Sequence, residues 1–267
     1  MCDLWQNTLT EEVSVGAIPA QVDHALEELQ KARARDLRQI KLYNSGSFFD
    51  PKAIPVEDYE AIAERVRCFD RVIVECHPAL VNDRCLRFRD LLTKGGQERA
   101  AGTELEVAMG LETAHPDVLE KLNKRMTLDQ FAGAAEFLRA NRIALRVFVL
   151  VKPPFLDEAE GLHWAKRSLD FAFDCGASVA SLIPTRPGNG ALDALAQTGE
   201  FAPPKLATIE ASMDYGIGLK RERVFVDLWD RERFAECQAC FKPRSERLRQ
   251  MNLRQEVLPA VACEFCS

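Results

Sequence analysis

Ile143–Val151, IALRVFVLV, is an almost unbroken apolar run closed by Lys152-Pro153-Pro154, and shorter runs of this kind recur with amphipathic segments between them. A strand that is apolar on both faces must be covered on both. A parallel sheet built from βα units does this. Strands are predicted at Gln39–Tyr43, Arg71–Cys76, Leu105–Leu111, Ile143–Val151, Ser178–Ile183 and Arg223–Leu228. Helical spacing of apolar residues predicts helices over Val22–Arg35, Glu57–Cys68, Leu86–Lys94, Pro116–Asn123, Thr127–Asn141, Glu158–Cys175 and Pro204–Tyr215. Six strands fall short of the eight of a closed barrel. A length of 267 residues leaves room for one such domain and a small appendage. Near Asp230 cysteine and arginine become frequent, so the expected division is 1–229 for the α/β domain and 230–267 for a C-terminal module.

In parallel α/β folds, ligands bind where strands end and loops begin. The first predicted strand runs into Asn44-Ser45-Gly46-Ser47, the second into Glu75-Cys76-His77-Pro78 and the third into Gly110-Leu111-Glu112-Thr113. The fifth runs into Ile183-Pro184-Thr185-Arg186. Two carboxylates at equivalent strand ends, beside a Gly-bearing turn, suit a ligand with hydroxyl and ammonium groups. The competing reading is a pair of solvated helix-capping carboxylates. Lys152 is a loop lysine, either substrate-binding or merely solvated.

Nine cysteines is a high, odd count. No apolar run approaches a membrane span, and no basic segment followed by an apolar stretch opens the chain, so a cytosolic protein with reduced thiols is expected. Cys237-x2-Cys240 and Cys263-x2-Cys266 form two knuckles separated by 22 residues. Such knuckles place four thiolates around one metal, and structural zinc or an auxiliary iron–sulfur cluster fits the set. Cys68, Cys76, Cys85 and Cys175 read as small core residues. A net charge of −6 argues against a broadly nucleic-acid-coating surface. Lys242, Arg244, Arg247, Arg249 and Arg254 could still face RNA phosphates, or form a solvated helix face with pairs such as Glu246–Arg249.

The stretch "IKLYNSGSFFDP" (Ile40–Pro51) resembles the radical SAM proteins of archaeosine biosynthesis and their bacterial relatives. "VECHP" (Val74–Pro78) and "GLETAHPDVLEKLNKRMT" (Gly110–Thr127) are similar to the Elongator/MiaB-type radical SAM core, and the likeness covers essentially the whole chain. It implies a partial (β/α)6 TIM-like barrel with its first strand truncated, carrying a four-cysteine module at its C-terminus. By that resemblance Asn44, Ser45, Gly46 and Ser47 hold the amino group of S-adenosylmethionine (SAM), and Glu75 and Glu112 face its ribose hydroxyls. Lys124 or Arg125 pairs with its carboxylate, and Ile183 and Pro184 lie along its adenine. The implied substrate is a modified nucleoside in tRNA. An external electron donor supplies the electron, and a partner transferase accompanies the archaeosine-type proteins.

The family holds a [4Fe–4S] cluster on C-x3-C-x2-C. Here the chain reads Met1-Cys2-Asp3-Leu4-Trp5, so Cys2 fits the third ligand and the first two are absent. As written, the chain cannot build the usual cluster site. A start assigned too late, degeneration of the site, or recruitment of another cysteine are the three explanations. A non-catalytic barrel whose zinc module binds RNA or a protein partner is the competing function.

Overall fold

The computed structural model describes residues 11–32, 36–94 and 102–265. Its helices are α1 (Ala17–Lys31), α2 (Tyr59–Val66), α3 (Asp83–Thr93), α4 (Pro116–Lys121), α5 (Leu128–Ala140), α6 (Glu158–Asp174), α7 (Gly190–Gln197), α8 (Leu206–Gly218) and α9 (Gln238–Arg254). The strands are β1 (Gln39–Leu42), β2 (Arg71–Glu75), β3 (Glu104–Glu112), β4 (Ala144–Val151), β5 (Val179–Pro184) and β6 (Arg223–Val226). They form one sheet in the order β1-β2-β3-β4-β5-β6, with parallel pairing of β1 to β2, β2 to β3, β4 to β5 and β5 to β6. Strands laid down in chain order with helical crossovers are the pattern of a partial (β/α)6 barrel. A doubly wound sheet would reverse its order at a switch point. The expected fold class is therefore borne out.

Every predicted strand is present within two residues of its bounds. Two helices, α7 and α9, are additional to those predicted. Helix α1 begins at Ala17 rather than Val22, because Gly16 adopts φ 89 just before it and its N–H donates to Asp58 Oδ1 at 2.8 Å. Helix α3 begins at Asp83, where the Asn82 side chain accepts from the Arg84 N–H at 2.9 Å.

Among the described residues the chain divides into two compact units, one within 11–109 together with 132–145 and the other of 110–131 with 146–265. In the first, Phe48, Phe49, Tyr59 and Phe88 make an aromatic cluster with ring centroids 4.7 to 6.4 Å apart. It lies under the turn that follows β1. In the second, α6 and α8 pack together against the sheet, and Gly216 lets α8 approach closely. A Cβ there would sit 3.0 Å from both Leu169 and Val224. Helix α6 starts with a reciprocal cap, in which Asp157 accepts from the Glu160 N–H and Glu160 accepts from the Asp157 N–H. No described helix is long and apolar enough to cross a membrane.

Candidate functional site

The turn after β1 is bound to the end of β2. Asn44 N–H donates to Glu75 Oε1 at 2.8 Å, Phe48 N–H to the Glu75 carbonyl at 2.8 Å, and His77 N–H to Ser47 Oγ at 2.8 Å. Residues 44–48 of the turn and residues 75–77 after β2, about thirty positions apart in sequence, are thus held together by these three hydrogen bonds. The left-handed residue of this turn is Ser45, with φ 59, and not Gly46. A Cβ on Gly46 would meet nothing nearer than 3.9 Å, so sterics do not demand glycine there. Asn44 Oδ1 is buried and accepts no hydrogen bond from the described residues. Cys76 behind the cluster is buried, and burial pushes its thiol well up, as expected for a core cysteine.

At the end of β3, Glu112 takes φ 65 and its carboxylate meets Lys124 Nζ at 2.6 Å. Gly110 makes room for that pair. A Cβ on it would lie 2.7 Å from Lys124 Nζ and closer still to the Glu112 carboxylate. Arg125 also adopts a left-handed backbone, φ 52, and is exposed. The loop that follows is seated on α6, where Ala114 N–H donates to Ser168 Oγ at 2.8 Å and His115 stacks on Trp164 at 4.4 Å.

Ile183 and Pro184 close β5. Beside them Arg186 bonds the Pro184 carbonyl at 3.2 Å, the Trp229 carbonyl at 2.6 Å and Asp227 Oδ2 at 2.9 Å, tying the ends of β5 and β6 together. Lys152 is neither solvated nor presented to a substrate. It is 6% exposed, with Nζ on the Ala202 carbonyl at 2.6 Å and within 4.0 Å of Glu158. These ties were missed from sequence because their partners lie roughly fifty positions away and share no motif.

The sulfurs of Cys237, Cys240 and Cys263 lie within 4.8 Å of one another, and Cys237 and Cys263 are 3.9 Å apart. Thiolates about 2.3 Å from one tetrahedral ion stand about 3.8 Å from each other. Three of the four expected ligands therefore converge as a metal site needs. Cys266, the fourth, and Cys2 lie outside the described residues. Three of the four arginines between the knuckles are engaged. Arg244 bonds Glu210, Arg247 bonds Asp214, and Arg249 bonds Glu246 at 2.7 Å.

The chain is 25% identical over 217 residues to an uncharacterized protein of Methanocaldococcus jannaschii, covering 78% of this chain and 57% of that one. It is 25% identical to the archaeosine synthase subunit beta of Methanosarcina acetivorans over 78% of this chain and 59% of the relative. The same subunit of Thermococcus kodakarensis is 30% identical over 57% of this chain and 46% of its own length. The chain thus spans just over half the length of the first two relatives. No family model matches it. Among solved structures, Elp3 of Methanocaldococcus infernus, with its N-terminus deleted, superposes on 91% of this chain and 62% of its own with TM-score 0.63. At 14% identity that likeness concerns the fold alone.

Proposed function

We propose that this chain is a radical SAM protein that cleaves SAM reductively and acts on a tRNA-related substrate, a reading supported by its two archaeosine synthase relatives. The observation that carries the reading is the likeness to archaeosine synthase subunit beta along 78% of the chain. The strand-end clusters support it. A [4Fe–4S] cluster on a completed C-x3-C-x2-C motif, in which Cys2 would be the third ligand, would supply the electron for reductive cleavage of SAM.

The chain's own residues fit the groups assigned to them. Asn44 Oδ1, a buried acceptor lacking a donor, suits the amino group of SAM, and an ammonium there would relieve its desolvation. Glu75 holds the turn in place through the Asn44 N–H and can accept from a ribose hydroxyl. Glu112 has the same role at the end of β3, oriented by Lys124. With Lys124 so engaged, Arg125 is assigned the SAM carboxylate, for which its forked guanidinium is suited. Ile183 and Pro184 supply an apolar wall for adenine. We assign zinc to the C-terminal cysteines, in a module spanning 230–267. The 3.9 Å sulfur separation matches one shared ion, whereas cluster ligands each bind their own iron and spread further. The electron comes from an external donor, and a partner transferase acts on the same substrate.

Three of the five basic residues of the expected C-terminal patch, Arg244, Arg247 and Arg249, pair with acids of the same chain, which counts against the basic-patch reading. The test begins with the DNA upstream of the Met1 codon. Cysteine codons in frame two and six residues before Met1 would restore C-x3-C-x2-C. The extended chain, reconstituted anaerobically, should then release 5′-deoxyadenosine from SAM. An intact cluster with no 5′-deoxyadenosine above background overturns the reading.

A further inference from the structure

Cys237 and Cys240 arrive together at the start of α9, but Cys263 must be brought back from the far end of that helix. Gln255 ends α9 in a left-handed conformation, φ 55, and the chain turns back through Leu258 and Pro259. One buried side chain grips this return. Arg247 donates Nε to the Pro259 carbonyl at 3.0 Å and to the Leu258 carbonyl at 3.1 Å. Its Nη2 reaches the Leu258 carbonyl at 2.7 Å and Asp214 Oδ1 on α8 at 2.7 Å.

One turn nearer the cysteines, Arg244 bonds Glu210 of α8 through Nε at 2.8 Å and Nη2 at 2.5 Å. Its Nη1 lies 4.0 Å from Cys240 Sγ, at the outer limit of an N–H···S contact. Cys240, Arg244 and Arg247 follow one another at i, i+4 and i+7 on one face of α9, opposite Glu210 and Asp214 at i, i+4 on α8. Removing two guanidinium groups from water is costly unless each fork is filled, and here both are.

We propose that Arg244 and Arg247 are the positioning residues of the cysteine centre. Arg247 fixes the returning segment so that Cys263 meets Cys237. Arg244 donates to the Cys240 sulfur and offsets the negative charge that several thiolates leave around a dication. The proposal rests on these cysteines holding a metal ion. It makes α8, which carries no ligand, the element that sets metal affinity.

The test strips the full-length protein of metal, titrates it with Co2+, and measures Zn2+ affinity by competition with a chelator. The unaltered protein should show a thiolate-to-cobalt charge-transfer band. Arg247→Lys and Asp214→Asn should weaken zinc binding about 10–100-fold while the far-ultraviolet circular dichroism stays unchanged. Arg244→Ala should shift the charge-transfer band, and Arg244→Lys, which keeps a donor, should restore part of the shift. Wild-type affinity and an unshifted band in all these variants would overturn the proposal and leave the centre standing. Absence of any thiolate band in the unaltered protein would remove the centre itself.

Discussion

The two edge strands of the sheet are finished differently. On β6, one side chain of α9 and that of Gln255, the residue that caps it, stand in for a neighbouring strand. Val226 N–H donates to Asn252 Oδ1 at 2.9 Å, and Asn252 Nδ2 donates to the Val226 carbonyl at 2.8 Å. Gln255 does the same for Val224, at 2.8 and 2.9 Å. Residues one helical turn apart have Cβ atoms about 5–6 Å from each other, close to the roughly 6.6 Å between alternate strand residues. A pair of amides at i, i+3 can therefore match backbone groups at i, i+2. On β1, among the described residues, only β2 is paired. A groove of about 730 Å3, lined by Val22 and Leu29 of α1 and by Ile40 and Leu42 of β1, runs beside it. An open edge is a template for pairing with another chain. Closing one takes donors and acceptors at fixed positions, which Asn252 and Gln255 supply on β6.

The largest effect should come from removing the substitute strand. Asn252→Ala leaves an N–H and a carbonyl of buried Val226 without partners, and we expect a loss of about 2–4 kcal/mol in urea unfolding. A loss below about 0.5 kcal/mol would mean that water replaces the amide freely, and the contrast between the edges would fall. A smaller effect is expected beside β1. Leu42→Ser, at a half-buried groove position, should cost about 1 kcal/mol by the same measurement.

Thiol labelling asks whether the β1 side is loose. Cys68, expected in the core, is instead exposed and should react promptly at pH 8. Cys85 is buried, and burial pushes its thiol up to about 11, so it should be protected until the protein unfolds. Fast labelling of Cys85 in the native protein would show that the β1 unit opens. The smallest effect concerns the exposed face of α9. Arg249, with help from Gln250, holds the Glu246 carboxyl down at about 2, from an ordinary 4.5. Because the folded value is the lower, this contribution is present above pH 4.5 and is lost as pH falls towards 2. The pair is solvent-exposed, so the protection of the Val226 amide against exchange, relative to its intrinsic rate at each pH, should hardly respond over that range. A marked loss of protection would show that the surface pair, and not the amide clamp, seats α9.

Much of the fold was legible because a strand buried on both faces announces itself as an apolar run, and all six were placed within two residues. Helix α9 escaped, since only Cys240, Ser245, Arg247, Leu248 and Met251 of its length are buried and two of those are polar. Glu75 and Glu112 could be singled out as strand-end carboxylates. That one holds Asn44 and the other Lys124 could not, nor that Gly110 is small to admit the second pair. The knuckle spacing pointed to the cysteine centre, but the arginines beside it read equally well as a phosphate-facing patch.

Sequence alone determined the parallel α/β layering, the strand ends where chemistry could sit, and the convergence of the C-terminal cysteines. Each of these follows from the local period of apolar residues or from short spacing, which the chain carries within a few residues. Tertiary structure alone decided how β6 is closed, where Lys152 is spent, and that Arg244 and Arg247 face α8 rather than solvent. Those outcomes depend on buried polar groups finding partners roughly ten to fifty positions away, and a hydrogen bond over that separation leaves no periodic trace.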